Sequence, residues 1–155
     1  MDKGEIITLS KILVKDDYPS KTGMKLVKIM EKIPVEKWDL EMTIIFVRAV
    51  NSFMGSKSNK YDFEDLYDIL DNKRNEGVND YDWNSMIANV LFNMQDEECV
   101  HYMKQAIKIA GGNPEINYNE VISTAQIKIE ENNAEELTDE EYLALYIRET
   151  TDLID

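Results

Sequence analysis

Residues 38–55, WDLEMTIIFVRAVNSFMG, constrain the fold of this chain more than any other stretch. Trp38, Met42, Ile45, Phe46, Ala49 and Phe53 recur at three- and four-residue spacing, the period of one face of an α-helix. Ile44, Val47 and Val50 make the flanks apolar too, so the helix is expected to be covered around most of its circumference. MTIIFVRAV has the composition of a strand. Length decides against that reading, because the pattern runs for about four turns and stops at Gly55, a natural residue just past a helix end.

The surrounding segments repeat the theme. Residues 5–15 read as a short helix with Ile6, Leu9, Ile12 and Leu13 on one side, a strand being the alternative. Asp16-Asp17-Tyr18-Pro19-Ser20 reads as a turn, since proline disfavours helix in the residue before it. A second helix is expected over residues 21–33, stopped by Pro34, with Leu26, Ile29, Met30 and Ile33 inward and Lys21, Lys25, Lys28 and Lys32 forming a stripe. Ser56-Lys57-Ser58-Asn59-Lys60 has the composition of a linker. Asp62 is positioned to cap a helix over residues 62–76, with Phe63, Leu66, Tyr67 and Leu70 inward and Gly77 ending it.

Asp82 is the expected cap of the next helix, whose apolar stripe is Trp83, Met86, Ile87, Val90, Leu91 and Met94. Asp96-Glu97-Glu98 opens another, with Val100, Met103, Ile107 and Ala110 inward and a stop at Gly111-Gly112-Asn113-Pro114. Residues 117–131 read as a seventh helix using Val121, Ile122, Ala125 and Ile129, although AQIKIEE also alternates as a strand would. Thr138-Asp139-Glu140-Glu141 matches a capping box, and Leu137 with Tyr142 a hydrophobic staple. Tyr142, Leu145, Tyr146 and Leu153 would be the buried edge of that last helix. The expected architecture is all-α: a compact bundle of seven or eight short amphipathic helices in one domain over residues 1–155. Trp38 and Trp83 stand 45 residues apart with matching apolar followers, so a HEAT-like helical repeat array is the alternative.

Composition bounds the setting. A chain of 155 residues can bury a real core without disulfides or metal. The single cysteine, Cys99, excludes a disulfide scaffold, and no signal peptide or bilayer-spanning run is read, so a cytoplasmic protein is expected. Net charge is −14, distributed as +1 over residues 1–48, −5 over 49–114 and −10 over 115–155. Such a surface repels nucleic acid and anionic membranes and attracts basic proteins.

Catalytic patterns are sparse. Glu98-Cys99-Val100-His101 has the spacing of half a bundle di-metal site, but His101 is the one histidine in the chain. Cys99 and His101 fall on different faces of their helix and read as a core residue and a surface residue. Gly111-Gly112 follows a helix instead of opening one, so it is no phosphate loop. Glu36-x-x-Asp39 and Asp65-x-x-Asp68 loosely resemble the carboxylate pairs with which all-α nucleotide pyrophosphohydrolases hold Mg²⁺, which makes such an enzyme the third reading. No catalytic residue, metal or cofactor is assigned.

Two charge patterns point to function. Asp62, Asp65, Asp68 and Asp71 recur every third residue as a carboxylate ribbon on one helix. Glu130, Glu131, Glu135, Glu136, Asp139, Glu140 and Glu141 form a denser block. Spaced carboxylates on rigid helices can present charge as a nucleic acid backbone does. The first reading is therefore an acidic binding protein, of the kind of toxin-neutralising immunity proteins and phage antagonists of defence nucleases. It would inhibit a basic, nucleic-acid-handling partner by occupying its binding surface, without itself binding nucleic acid or membrane. Tyr61, Tyr67, Tyr81, Tyr118 and Tyr142 would add contact area. The second reading is a helical adaptor whose partner sits in an apolar groove, with the acid serving solubility.

Overall fold

The computed structural model describes residues 3–17, 19–112, 118–138, 141–142 and 144–145. Among these the regular elements are all helical: α1 (Lys3–Lys15), α2 (Ser20–Met30), α3 (Leu40–Asn51), α4 (Phe63–Asp71), α5 (Arg74–Gly77), α6 (Tyr81–Asn93), α7 (Cys99–Ile109) and α8 (Tyr118–Glu130). Single turns of 3-10 helix stand at Val35–Lys37 and Ala134–Glu136. Contacts gather into two units, Met1–Gly77 and Val78–Asp155. No described helix is long and apolar enough to cross a membrane.

In the first unit α3 packs against α1, α2 and α4. Eight of its twelve residues are buried, which is why its apolar pattern extends beyond one face. The helix starts later than the periodicity suggests. Asp39 is in extended backbone and its carboxylate accepts from Met42 N at 2.8 Å, so Trp38 lies outside the helix. Trp38 is nonetheless buried, its indole N–H donating to Ile33 O at 3.1 Å and its ring 4.8 Å from that of Phe46. Ile6, Leu13, Leu26 and Met30 complete this core, whereas Ile12, expected inward, is 49% exposed. Gly23 permits the close crossing of α2 on α3: a Cβ there would stand 2.6 Å from Ala49 O.

Helix α2 ends at Met30, three residues before the expected stop, and Lys32 and Ile33 close 3-10-type turns onto Ile29 and Met30. The expected helix over 62–76 is interrupted after Asp71, where Lys73 N bonds Leu70 O and Asp71 pairs with Arg74 at 2.7 Å.

In the second unit α6 and α7 form a hairpin. The cap of α6 is Asp80, not Asp82. Asp80 is in extended backbone and accepts from Trp83 N at 2.9 Å, while Asp82 already lies in the first helical turn. Cys99, Tyr102, Ala106 and Ile107 are the buried residues of α7: Ile107 is inward as expected, whereas Val100 and Met103 are half-buried and Ala110 is exposed. The Tyr102 ring stands edge-on to fully buried Trp83 at 5.8 Å.

Ala125 anchors α8, but Ile129 is 45% exposed and Val121 and Ile122 are half-buried. The capping box at Thr138 is present, with Glu141 Oε1 accepting from Thr138 N at 3.0 Å and Glu141 N donating to Thr138 Oγ1 at 3.2 Å. Tyr142 is 44% exposed, so it is not the buried edge of that helix, and Tyr146 and Leu153 lie outside the described residues.

Candidate functional site

Acidic side chains were the sequence's functional candidates, and they divide by what else they do. Asp62, Asp65, Asp68 and Asp71 are all exposed on α4. Asp62 accepts from Asp65 N at 2.8 Å and Asp65 from Asp62 N at 3.0 Å, a reciprocal cap that fixes the helix start. Asp71 pairs with Arg74. Asp68 and Glu64 make neither kind of contact among the described residues and face water. None of Lys21, Lys25 and Lys28, exposed on α2, nor exposed Lys32 just past its end, forms an ion pair with these carboxylates among the described residues.

In the second unit Glu130, Glu131, Glu135 and Glu136 are exposed where α8 gives way to the 3-10 turn; Asp139 and Glu140 lie outside the described residues. Lys128, in the last turn of α8, lies within this block: its ammonium is 2.6 Å from Glu141 Oε1 and donates to Glu136 O at 3.3 Å. Burial pushes the Glu141 carboxyl up, but Lys128 and the Thr138 bonds outweigh it and hold the group below the usual carboxylate range. Of the tyrosines, Tyr81 and Tyr142 are exposed, Tyr61 and Tyr67 half-buried, and the Tyr118 side chain lies outside the described residues.

One member of each carboxylate pair noted for Mg²⁺ has a structural duty. Asp39 caps α3 and is 2.5 Å from the Lys3 ammonium, and Asp65 is half of the α4 cap. No group of three or more His, Cys, Asp or Glu side chains converges as a metal site among the described residues. Cys99 is buried and His101 exposed; burial, then the nearby Asp96 charge, pushes the Cys99 thiol up, which makes it a poorer nucleophile.

A third site was not legible from spacing. Two adjoining clefts of about 240 and 360 Å³ in the first unit share one wall, formed by Glu31, Lys60 and Tyr61. Glu31 follows the last turn of α2. Lys60 and Tyr61 come from the presumed linker, which is a folded loop: Asn59 Oδ1 accepts from Tyr61 N at 2.9 Å and Asn59 Nδ2 donates to Tyr61 O at 2.7 Å. Glu31 Oε2 receives the Tyr61 hydroxyl at 2.5 Å and the Lys60 ammonium at 2.7 Å. Partial burial pushes the Glu31 carboxyl up, and the Lys60 and Tyr61 bonds more than reverse this. The Tyr61 hydroxyl is pushed strongly up, by desolvation first and by Glu31 second. An asparagine two residues before an aromatic, closing an Asx-type turn, was the available sequence signal.

Comparison of the chain with protein-family models, with curated proteins and with solved structures gives no match.

Proposed function

We propose that this protein binds a basic, nucleic-acid-handling partner and inhibits it by covering the surface with which that partner holds nucleic acid. The observation that carries the reading is exposed acid that forms no side-chain ion pair among the described residues: Glu64 and Asp68 on α4, and Glu130, Glu131, Glu135 and Glu136 at the end of α8. With a net charge of −14, such surfaces steer a cationic partner into encounter and repel competing nucleic acid.

The test is association with the basic partner recovered from the native host, followed by stopped flow over a salt series. Binding should weaken steeply with ionic strength, and Asp68→Lys or Glu135→Lys with Glu136→Lys should slow association by about tenfold. These positions are chosen because none of them caps a helix, so the change is one of charge alone. Nucleic acid should compete with the protein for the partner. Rates indifferent to both salt and substitution refute the reading.

The clefts beside Glu31 favour a second reading, a helical adaptor whose partner docks on apolar side chains. That protein would bind with little salt dependence and would lose affinity on Met24→Ala or Ile69→Ala.

A further inference from the structure

We propose that the Glu31–Tyr61 wall between the two clefts is a receptor for a basic side chain, and that the segment it takes is an extended apolar–arginine–apolar stretch of a partner protein. This deepens the basic-partner reading and rests on it for the partner's identity.

The chain displays the chemistry of the site with a cation of its own. The Lys60 ammonium sits 2.7 Å from Glu31 Oε2 and 5.7 Å from the centroid of the Tyr61 ring, so a carboxylate and an aromatic ring act on one positive charge. The receiving side is held in place. Tyr61 donates its hydroxyl to Glu31 at 2.5 Å and its ring is edge-on to buried Phe46 at 5.2 Å. The occupant is not held: the Lys60 side chain is 70% exposed, while that of Glu31 is 28% exposed. An ion pair with so exposed a partner contributes little, and its lysine is easily exchanged. Arginine suits the position better than lysine, because a planar guanidinium can engage a carboxylate through two hydrogen bonds while stacking on an aromatic ring.

The flanks define what surrounds that arginine. One cleft continues past Glu31 along Met24, Val27 and Phe53, the other along Val35, Trp38 and Ile69. Apolar residues on either side of a central basic residue fill both. Lys28 also borders the first cleft, so the incoming cation must replace Lys60 and not join it.

The experiment titrates the full chain with acetyl-Leu-Arg-Leu-amide and with its citrulline counterpart, read by calorimetry and tryptophan fluorescence. The arginine peptide should bind, the uncharged isostere at least tenfold more weakly. Lys60→Ala should tighten the arginine peptide by up to about fivefold, since it removes the internal competitor. Glu31→Gln should weaken it at least tenfold, whereas Glu76→Gln, which removes an exposed charge outside both clefts, should leave affinity within twofold. Thermal unfolding by circular dichroism verifies that each variant is folded; Lys60→Ala, at an exposed side chain, tests the idea even where Glu31→Gln does not fold.

Equal binding of the two peptides, no binding of either, or an affinity that Lys60→Ala leaves unchanged or lowers overturns the proposal. Failure here is separable from failure of the basic-partner reading. A partner whose association responds to Asp68→Lys but not to Lys60→Ala or Glu31→Gln refutes the cleft and leaves the acidic surface standing. Peptide binding with the expected variant effects, but no basic partner, does the reverse.

Discussion

At Gly23 the absence of a side chain determines how two helices meet. A Cβ there would fall 1.9 Å from Ser52 Oγ and 2.6 Å from Ala49 O. The serine hydroxyl can turn away, but the carbonyl belongs to the α3 backbone and cannot. Gly23→Ala should therefore destabilise the protein by about 1–3 kcal/mol in urea unfolding, despite alanine's better helix propensity. Glu141 sets a pH dependence of opposite character, one of charge and not of space. Its folded-state carboxyl lies below the usual carboxylate range, held there against the effect of burial by Lys128 and Thr138. The group accordingly contributes stability above its unfolded pKa and loses it as pH falls through the folded value. Glu141→Gln should flatten the acid limb of the stability curve, as followed by urea midpoints at successive pH values, while leaving the alkaline limb unchanged.

Helix ends show what a single sequence yields and what it conceals. The reciprocal caps at Asp62 with Asp65 and Thr138 with Glu141 couple residues three apart, so spacing alone exposes at least one partner of each. Asp80 was missed because Asp82 is an equally good cap chemically; the choice between them depends on Trp83 entering the core at the right phase. Among the described residues three helices end with a residue at positive φ: Gln95 at 58°, Gly111 at 88° and Asn132 at 62°. After each, the next residue reaches back to the third-last helical carbonyl, as in Asp96 N to Leu91 O at 2.9 Å and Gly112 N to Ile107 O at 2.9 Å. Gly111 announces its stop, while Gln95 gives no signal, since its conformation is imposed by the α6–α7 hairpin. Gln95→Gly should consequently stabilise the protein by about 0.5–1 kcal/mol in thermal unfolding, because it removes the Cβ that disfavours a left-handed backbone. Asp62→Ala should cost about 1 kcal/mol and Asp62→Asn much less, which separates the cap from the charge.

For the molecule as a whole, local pattern accounts for the all-α architecture and for the dominance of α3, since both follow from helical periodicity. The cleft beside Glu31 was hidden for a different reason: its wall joins residues thirty apart through a loop that composition marks only as polar. The acid was visible from the start, and its exposed positions now give salt two opposing consequences. Charges of one sign on a folded body repel one another, so the native state carries an electrostatic cost that an expanded chain partly escapes. Raising ionic strength shortens the screening length from about 30 Å at 0.01 M to about 8 Å at 0.15 M. With a net charge of −14, the urea midpoint of the protein alone should rise over that range, because self-repulsion is screened more than the short Lys128–Glu141 and Lys60–Glu31 contacts are weakened. Over the same range the association rate with a basic partner should fall, because the attraction that steers it acts through solvent across the same distances. A protein whose fold strengthens while its complex weakens uses its acid for recognition at a cost to its own stability. Should the urea midpoint rise while association stays constant, the acidic surfaces serve solubility, and recognition has to be sought in the apolar clefts.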